Sequence, residues 1–87
     1  MEFEWDEKKS RANKLKHGID FHAATKLWND QDRIEIQTNF PAEERNALIG
    51  KIGDKLWTAI FTRRVDAIRI ISARRARKKE TKLYEQK

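Results

Sequence analysis

Apolar residues switch between strand-like and helix-like spacing along this chain. Phe3 and Trp5 alternate with Glu2 and Glu4, which predicts a short strand. Asp6 is placed to cap a helix that runs to about His17 and ends at Gly18, a residue suited to the left-handed C-terminal position. That helix is very polar. Ala12 and Leu15 are its main apolar side chains, so a surface position with a narrow docking stripe is expected. Asp20 caps a second predicted helix, in which Phe21, Ala24, Leu27 and Trp28 share a core-facing side. Asn29 and Asp30 end it. Ile34, Ile36 and Thr38 then alternate with Arg33, Glu35 and Gln37, a strand with one wet face, and Pro41 marks the turn after it.

Arg45 to Ile52 and Lys55 to Arg63 read as two further strands joined by a two-residue hairpin turn at Gly53-Asp54. Pairing across that turn sets Lys51 opposite Leu56 and Arg45 opposite Thr62. Period-two alternation puts Leu48, Gly50, Ile52, Trp57, Ala59, Phe61, Ile68 and Ile70 on one face, which the helices should cover. The other face mixes Arg45, Lys51 and Arg69 with Thr58, Thr62 and apolar residues. The last strand follows a short turn at Arg64-Val65. From Arg75 onward a basic helix is predicted. The expected architecture is a single α+β domain over residues 1–87, in the order β-α-α-β-β-β-β-α, with a mostly antiparallel sheet.

Charge adds direction to this picture. The net charge is +6, but residues 1–44 hold 7 Lys/Arg against 10 Asp/Glu, whereas residues 45–87 hold 13 against 4. Such a polarised domain has an oriented field, and its basic half suits a polyanion, nucleic acid foremost. No apolar run approaches membrane-spanning length, and the acidic start lacks the segments of a signal peptide. A cytoplasmic location is the resulting expectation. The chain has no Cys, which excludes disulfides and thiolate metal sites. His17 and His22 show no metal-ligand pattern, so no metal and no cofactor is expected. Trp5, Trp28 and Trp57 read as core residues before base-stacking platforms.

The candidate chemistry lies in Asp66-Ala67-Ile68-Arg69-Ile70-Ile71-Ser72-Ala73-Arg74-Arg75-Ala76. An arginine among strand isoleucines is costly unless it meets a carboxylate or another anion. A cluster of Arg and Lys with hydroxyls and one Tyr suits a phosphodiester. RNA carries its own nucleophile, the 2′-OH, and the protein must orient the strand, move a proton and stabilise charge on the phosphorus. The expected catalytic residues are Arg45, Arg69, Arg74 and Tyr84, with Glu44 and His17 as other bases. Lys51, Arg63, Arg64, Arg75, Arg77, Lys78 and Lys79 are expected to bind RNA. A non-catalytic nucleic-acid-binding module would use the same basic half, and a protein-interaction domain would meet an acidic partner there.

Phe3-Glu4-Trp5-Asp6, Lys16-His17-Gly18-Ile19, Glu44-Arg45 leading into Ile49-Gly50, and Arg69-Ile70-Ile71-Ser72-Ala73-Arg74 followed by Glu80 and Tyr84-Glu85 resemble the BrnT toxins in content and order. The resemblance implies a RelE-like fold and an endoribonuclease that inhibits translation and arrests growth. It also implies neutralisation by a BrnA-type antitoxin with a ribbon-helix-helix DNA-binding part, with operator DNA reached only through the toxin–antitoxin complex. The Arg63-Arg64-Val65-Asp66 turn departs from the Gly-containing turn expected there.

Overall fold

The computed structural model describes residues 2–38 and 44–86. The expected turn at Pro41 lies outside the described residues. The element order is β1 (Glu2–Glu4), α1 (Glu7–His17), α2 (Phe21–Ala24) continuing as a 3₁₀ segment (Thr25–Asn29), β2 (Ile34–Thr38), β3 (Arg45–Ile52), β4 (Lys55–Arg63), β5 (Ala67–Arg75) and α3 (Lys78–Glu85). The expected α+β class and order hold. The sheet has five strands in the order β1-β5-β4-β3-β2, antiparallel except for the parallel β1–β5 pair.

The caps form where the side chains dictate. Asp6 accepts from the N–H groups of Lys8 and Lys9, and Gly18 ends α1 at φ 83°. Asp20 accepts from Ala23 N–H. The second predicted helix buries Phe21, Ala24 and Leu27 as expected, but only its first four residues are α-helical. The tighter 3₁₀ winding sets Leu27 directly against β3. A Cβ on Gly50 would stand 3.2 Å from both the Leu27 carbonyl oxygen and its Cδ2, so this close approach favours glycine.

The core forms on the predicted face. Leu48, Ala59, Phe61, Ile68 and Ile70 pack with Phe21 and Leu27, flanked by Phe3, Trp5, Trp28, Ile52 and Trp57. Trp28 meets Phe3 and Phe61 edge-on at 5.0 and 5.2 Å, so the tryptophans act as packing residues.

Helix α1 corrects one expectation. Ala12 is exposed and Leu15 is 90% exposed; the buried residues are Ser10 and Asn13. The cause lies in the sheet. β1 pairs with β5 only at residues 67–69, so Ala73 further along has no strand on that side. Asn13 takes the strand's place: its Nδ2 donates to the carbonyls of Ala73 and Ile19, both at 2.8 Å, and its Oδ1 accepts from Ala73 N–H at 3.3 Å. Ser10 Oγ accepts from Phe21 N–H at 2.9 Å.

A second correction concerns residues 74–77. The strand extends through Arg75, and α3 starts only at Lys78. Hydrogen bonding to β4 holds the arginines extended, with Thr58 opposite Arg74 and Trp57 opposite Arg75. Among the described residues no helix is long and apolar enough to cross a membrane.

Candidate functional site

The face opposite the core carries the arginines, and a β-bulge decides which ones. Ile60 pairs with Ser72 but Phe61 pairs with Ile70, leaving Ile71 as the extra residue. Uninterrupted alternation from Arg69 would send Ala73 and Arg75 to this face. The bulge instead puts Ala73 in the core and aligns Arg69, Ser72 and Arg74 with Thr62, Ile60 and Thr58.

At one end of this face, side chains line up across the sheet. Thr38 pairs with Arg45, Thr62 with Arg69, and Glu4 with Arg69. Arg45 precedes the Asn46–Phe61 pair and so stands beside Thr62. The row is therefore Thr38, Arg45, Thr62, Arg69 and Glu4. Arg69 is half-buried and has a loose ion pair with Glu4 at 3.8 Å, shared with Arg64 at 3.7 Å. Thr62 Oγ1 is buried and has no hydrogen-bond partner in the structure. An unsatisfied hydroxyl between two arginines is costly in a free protein, and because it is closed to solvent a ligand oxygen reaches it only when a covering side chain moves.

Four ladder steps along, roughly 13 Å at strand rise, stands Arg74. In this structure its guanidinium is turned to Glu80 and not to the Arg69 row. Its guanidinium forms a fork onto Glu80, with Nη1 to Oε1 at 2.8 Å and Nη2 to Oε2 at 2.9 Å. Glu80 Oε1 also accepts from Thr58 Oγ1 at 3.0 Å and from Arg77 N–H at 2.7 Å. The Arg74 fork, helped by these other donors against the cost of burial, holds the Glu80 carboxyl down at about 2. The same pairing raises Arg74 above its ordinary value.

Helix α3 lies on this face and is tied down again at its far end. Tyr84 Oη donates to Asp30 Oδ2 at 2.7 Å, and Lys51 N–H donates to the same oxygen at 2.8 Å. Burial and the Asp30 contact push the Tyr84 phenol up to about 12. It keeps its proton at neutral pH and donates it in the bond to Asp30. Burial opposes the charge on Asp30, but the bonds from Tyr84, Asp32 N–H and Lys51 N–H outweigh it and hold its pKa below the ordinary value.

The other expected residues divide by position. Lys51 is on the arginine face near the hairpin turn. Arg63 and Arg75 point to the opposite face: Arg63 Nη2 donates to both Glu35 oxygens at 2.5 and 2.6 Å, and the Arg75 guanidinium sits 5.4 Å from the Trp57 ring. Arg64 is in the β4–β5 turn. Arg77 caps α3, and Lys78 and Lys79 are exposed in its first turn. Glu44 accepts from Gln37 Nε2 at 3.3 Å, and His17 ends α1, so neither joins the row. Sequence reasoning missed Asp30 and the position of Glu80. Asp30 lies 54 residues from Tyr84 and has no local signal. Glu80, six residues from Arg74, spans a strand–helix junction that no single period describes.

Fold and face together define a small α+β domain with a basic sheet face partly covered by its own C-terminal helix. The chain belongs to the BrnT family, ribonuclease toxins of type II toxin–antitoxin systems, whose family model matches residues 5–80. It is therefore an endoribonuclease toxin with an antitoxin as its partner. No curated protein matches the chain.

Proposed function

We propose that this toxin cleaves RNA by attack of the 2′-OH on the adjacent phosphate, with the scissile group bound at the Arg45–Thr62–Arg69 row. The observation that carries this reading is the buried, unpartnered Thr62 hydroxyl beside two arginines. Arg69 and Arg45 supply positive charge where negative charge develops on phosphorus, and such donors act most strongly in the transition state. Arg74 is a neighbouring-phosphate residue by its distance along the strand. Tyr84, which holds its proton, would serve as a donor. Cleavage of cellular RNA would arrest translation and growth. A BrnA-type antitoxin is the matching partner, and a short reading frame with a ribbon-helix-helix pattern beside the gene would support that pairing.

The test uses purified toxin and RNA in EDTA, with product ends analysed. Products ending in 2′,3′-cyclic phosphate or 3′-phosphate are expected. A divalent-metal requirement would overturn the mechanism, and tight binding without cleavage would favour a binding module. Arg69→Lys keeps the charge but loses the planar fork, and Arg45→Ala loses both. Each should lower single-turnover cleavage by on the order of 10²-fold while weakening RNA affinity far less. Unchanged turnover in folded variants would move the scissile phosphate elsewhere.

A further inference from the structure

Glu80 has more donors than a surface staple needs. One carboxylate takes two bonds from Arg74, one from Thr58 and one from Arg77 N–H, and its side chain is 13% exposed. A fork of guanidinium donors with a hydroxyl beside it is what a phosphate oxygen pair would seek. Two of these donors, Arg74 and Thr58, are cross-strand partners on the rigid β4–β5 pair. Their backbone positions are set by the ladder between the two strands and not by α3.

Ala47 and Ile49 of β3 are buried on the face where the helix that delivers Glu80 lies, but the helix adds little apolar surface of its own. None of its residues is buried, and Leu83, its one aliphatic residue larger than alanine, is 42% exposed. Its half-buried positions are Glu80, Thr81 and Tyr84, and its identified ties to the sheet side are the Glu80 cluster and the Tyr84–Asp30 bond. An eight-residue helix of this composition does not persist alone in water, so leaving the sheet means unfolding.

We propose that Arg74 and Thr58 form a second RNA-phosphate site, which the Glu80 carboxylate occupies in the free protein and an RNA phosphodiester takes over when α3 leaves the sheet. The site lies on the same face as the Arg45–Arg69 row and about 13 Å from it along the ladder, so one strand can engage both. The inference rests on RNA being the substrate. It assigns to α3 a competitive role: RNA binding must first displace an internal anion, and the apparent affinity falls by the fraction of molecules with the site open.

The experiment measures binding of a 2′-O-methylated oligonucleotide, which lacks the attacking hydroxyl, to the whole protein. Glu80→Gln removes the competing charge with little change in shape. Glu85→Gln removes the same charge from an exposed position on the same helix and corrects for net charge. Glu80→Gln should bind about tenfold tighter than Glu85→Gln, and the gain should vanish when Arg74→Gln is added. Independently of any variant, hydrogen exchange of the wild-type amides at 81–86 should accelerate when the oligonucleotide saturates the protein. Equal affinity of the two glutamine variants, a gain that survives Arg74→Gln, or α3 amides equally protected in the complex would each overturn this inference alone. Failure of every variant to bind the oligonucleotide would overturn the placement of RNA on the arginine face with it.

Discussion

Asn13 shows how one polar side chain can hold two elements together. It substitutes for a missing strand at Ala73 and at the same time fixes the Ile19 carbonyl between the helices. Asn13→Ala would leave three backbone groups short of partners in a buried place. The expected loss is about 2–3 kcal/mol of unfolding free energy, measured by urea denaturation, whereas Leu15→Ala on the same helix should cost almost nothing at 90% exposure. Equal losses would mean that α1 docks by apolar contact after all. Arg69 shows the opposite case. The carboxylate expected near an arginine in an isoleucine strand is there but loosely placed: Glu4 stands at 3.8 Å, too long to satisfy the guanidinium fork.

At the scale of elements, the 3₁₀ segment and β3 meet through a glycine. Gly50 sits on the core face between Leu48 and Ile52, where an alternating strand would ordinarily carry a large side chain. Here the Leu27 side chain and carbonyl fill that space. Gly50→Ala should force the segment outward and cost about 1–3 kcal/mol by overpacking, because one of the 3.2 Å contacts is to a backbone carbonyl that has little room to move. A melting temperature equal to wild type would show that the segment shifts freely. The bulge at Ile71 alone puts Arg74 on the face of Arg69, so the proposed use of both arginines depends on it.

For the whole molecule, the charge asymmetry becomes a spatial one. Basic residues occupy the arginine face and the start of α3, while Glu80 and Asp30 hold that helix in place. Arg77, Lys78 and Lys79 stand at the exposed start of α3, outside the Arg45–Arg69 row. Replacing all three with alanine should reduce the salt slope of RNA binding by about two units, at roughly 0.7 per phosphate contact for a single strand. Turnover at saturating RNA should survive, since such contacts hold ground and transition states alike. Salt-dependent binding together with single-turnover cleavage checks both halves. Loss of turnover at saturation would bring α3 into the catalytic site.

The order of elements, the two capping aspartates, the hairpin at Gly53-Asp54 and the core face of β3 and β4 were all legible in the sequence. Each depends on local chemistry: a side chain that accepts from its own helix, a turn of fixed length, an alternation of period two. Arg45 and Arg69 were placed on one face for the same reason. Tertiary structure decided the rest. A bulge adds a residue that alternation cannot foresee, and it moved Arg74 to the arginine face and Arg75 away from it. An incomplete strand beside β5 made Asn13, and not Leu15, the anchor of α1. The partners of Arg74 and Tyr84 depend on where α3 comes to rest, because hydrogen bonds between distant residues are set by the packing of elements and leave no period in the chain.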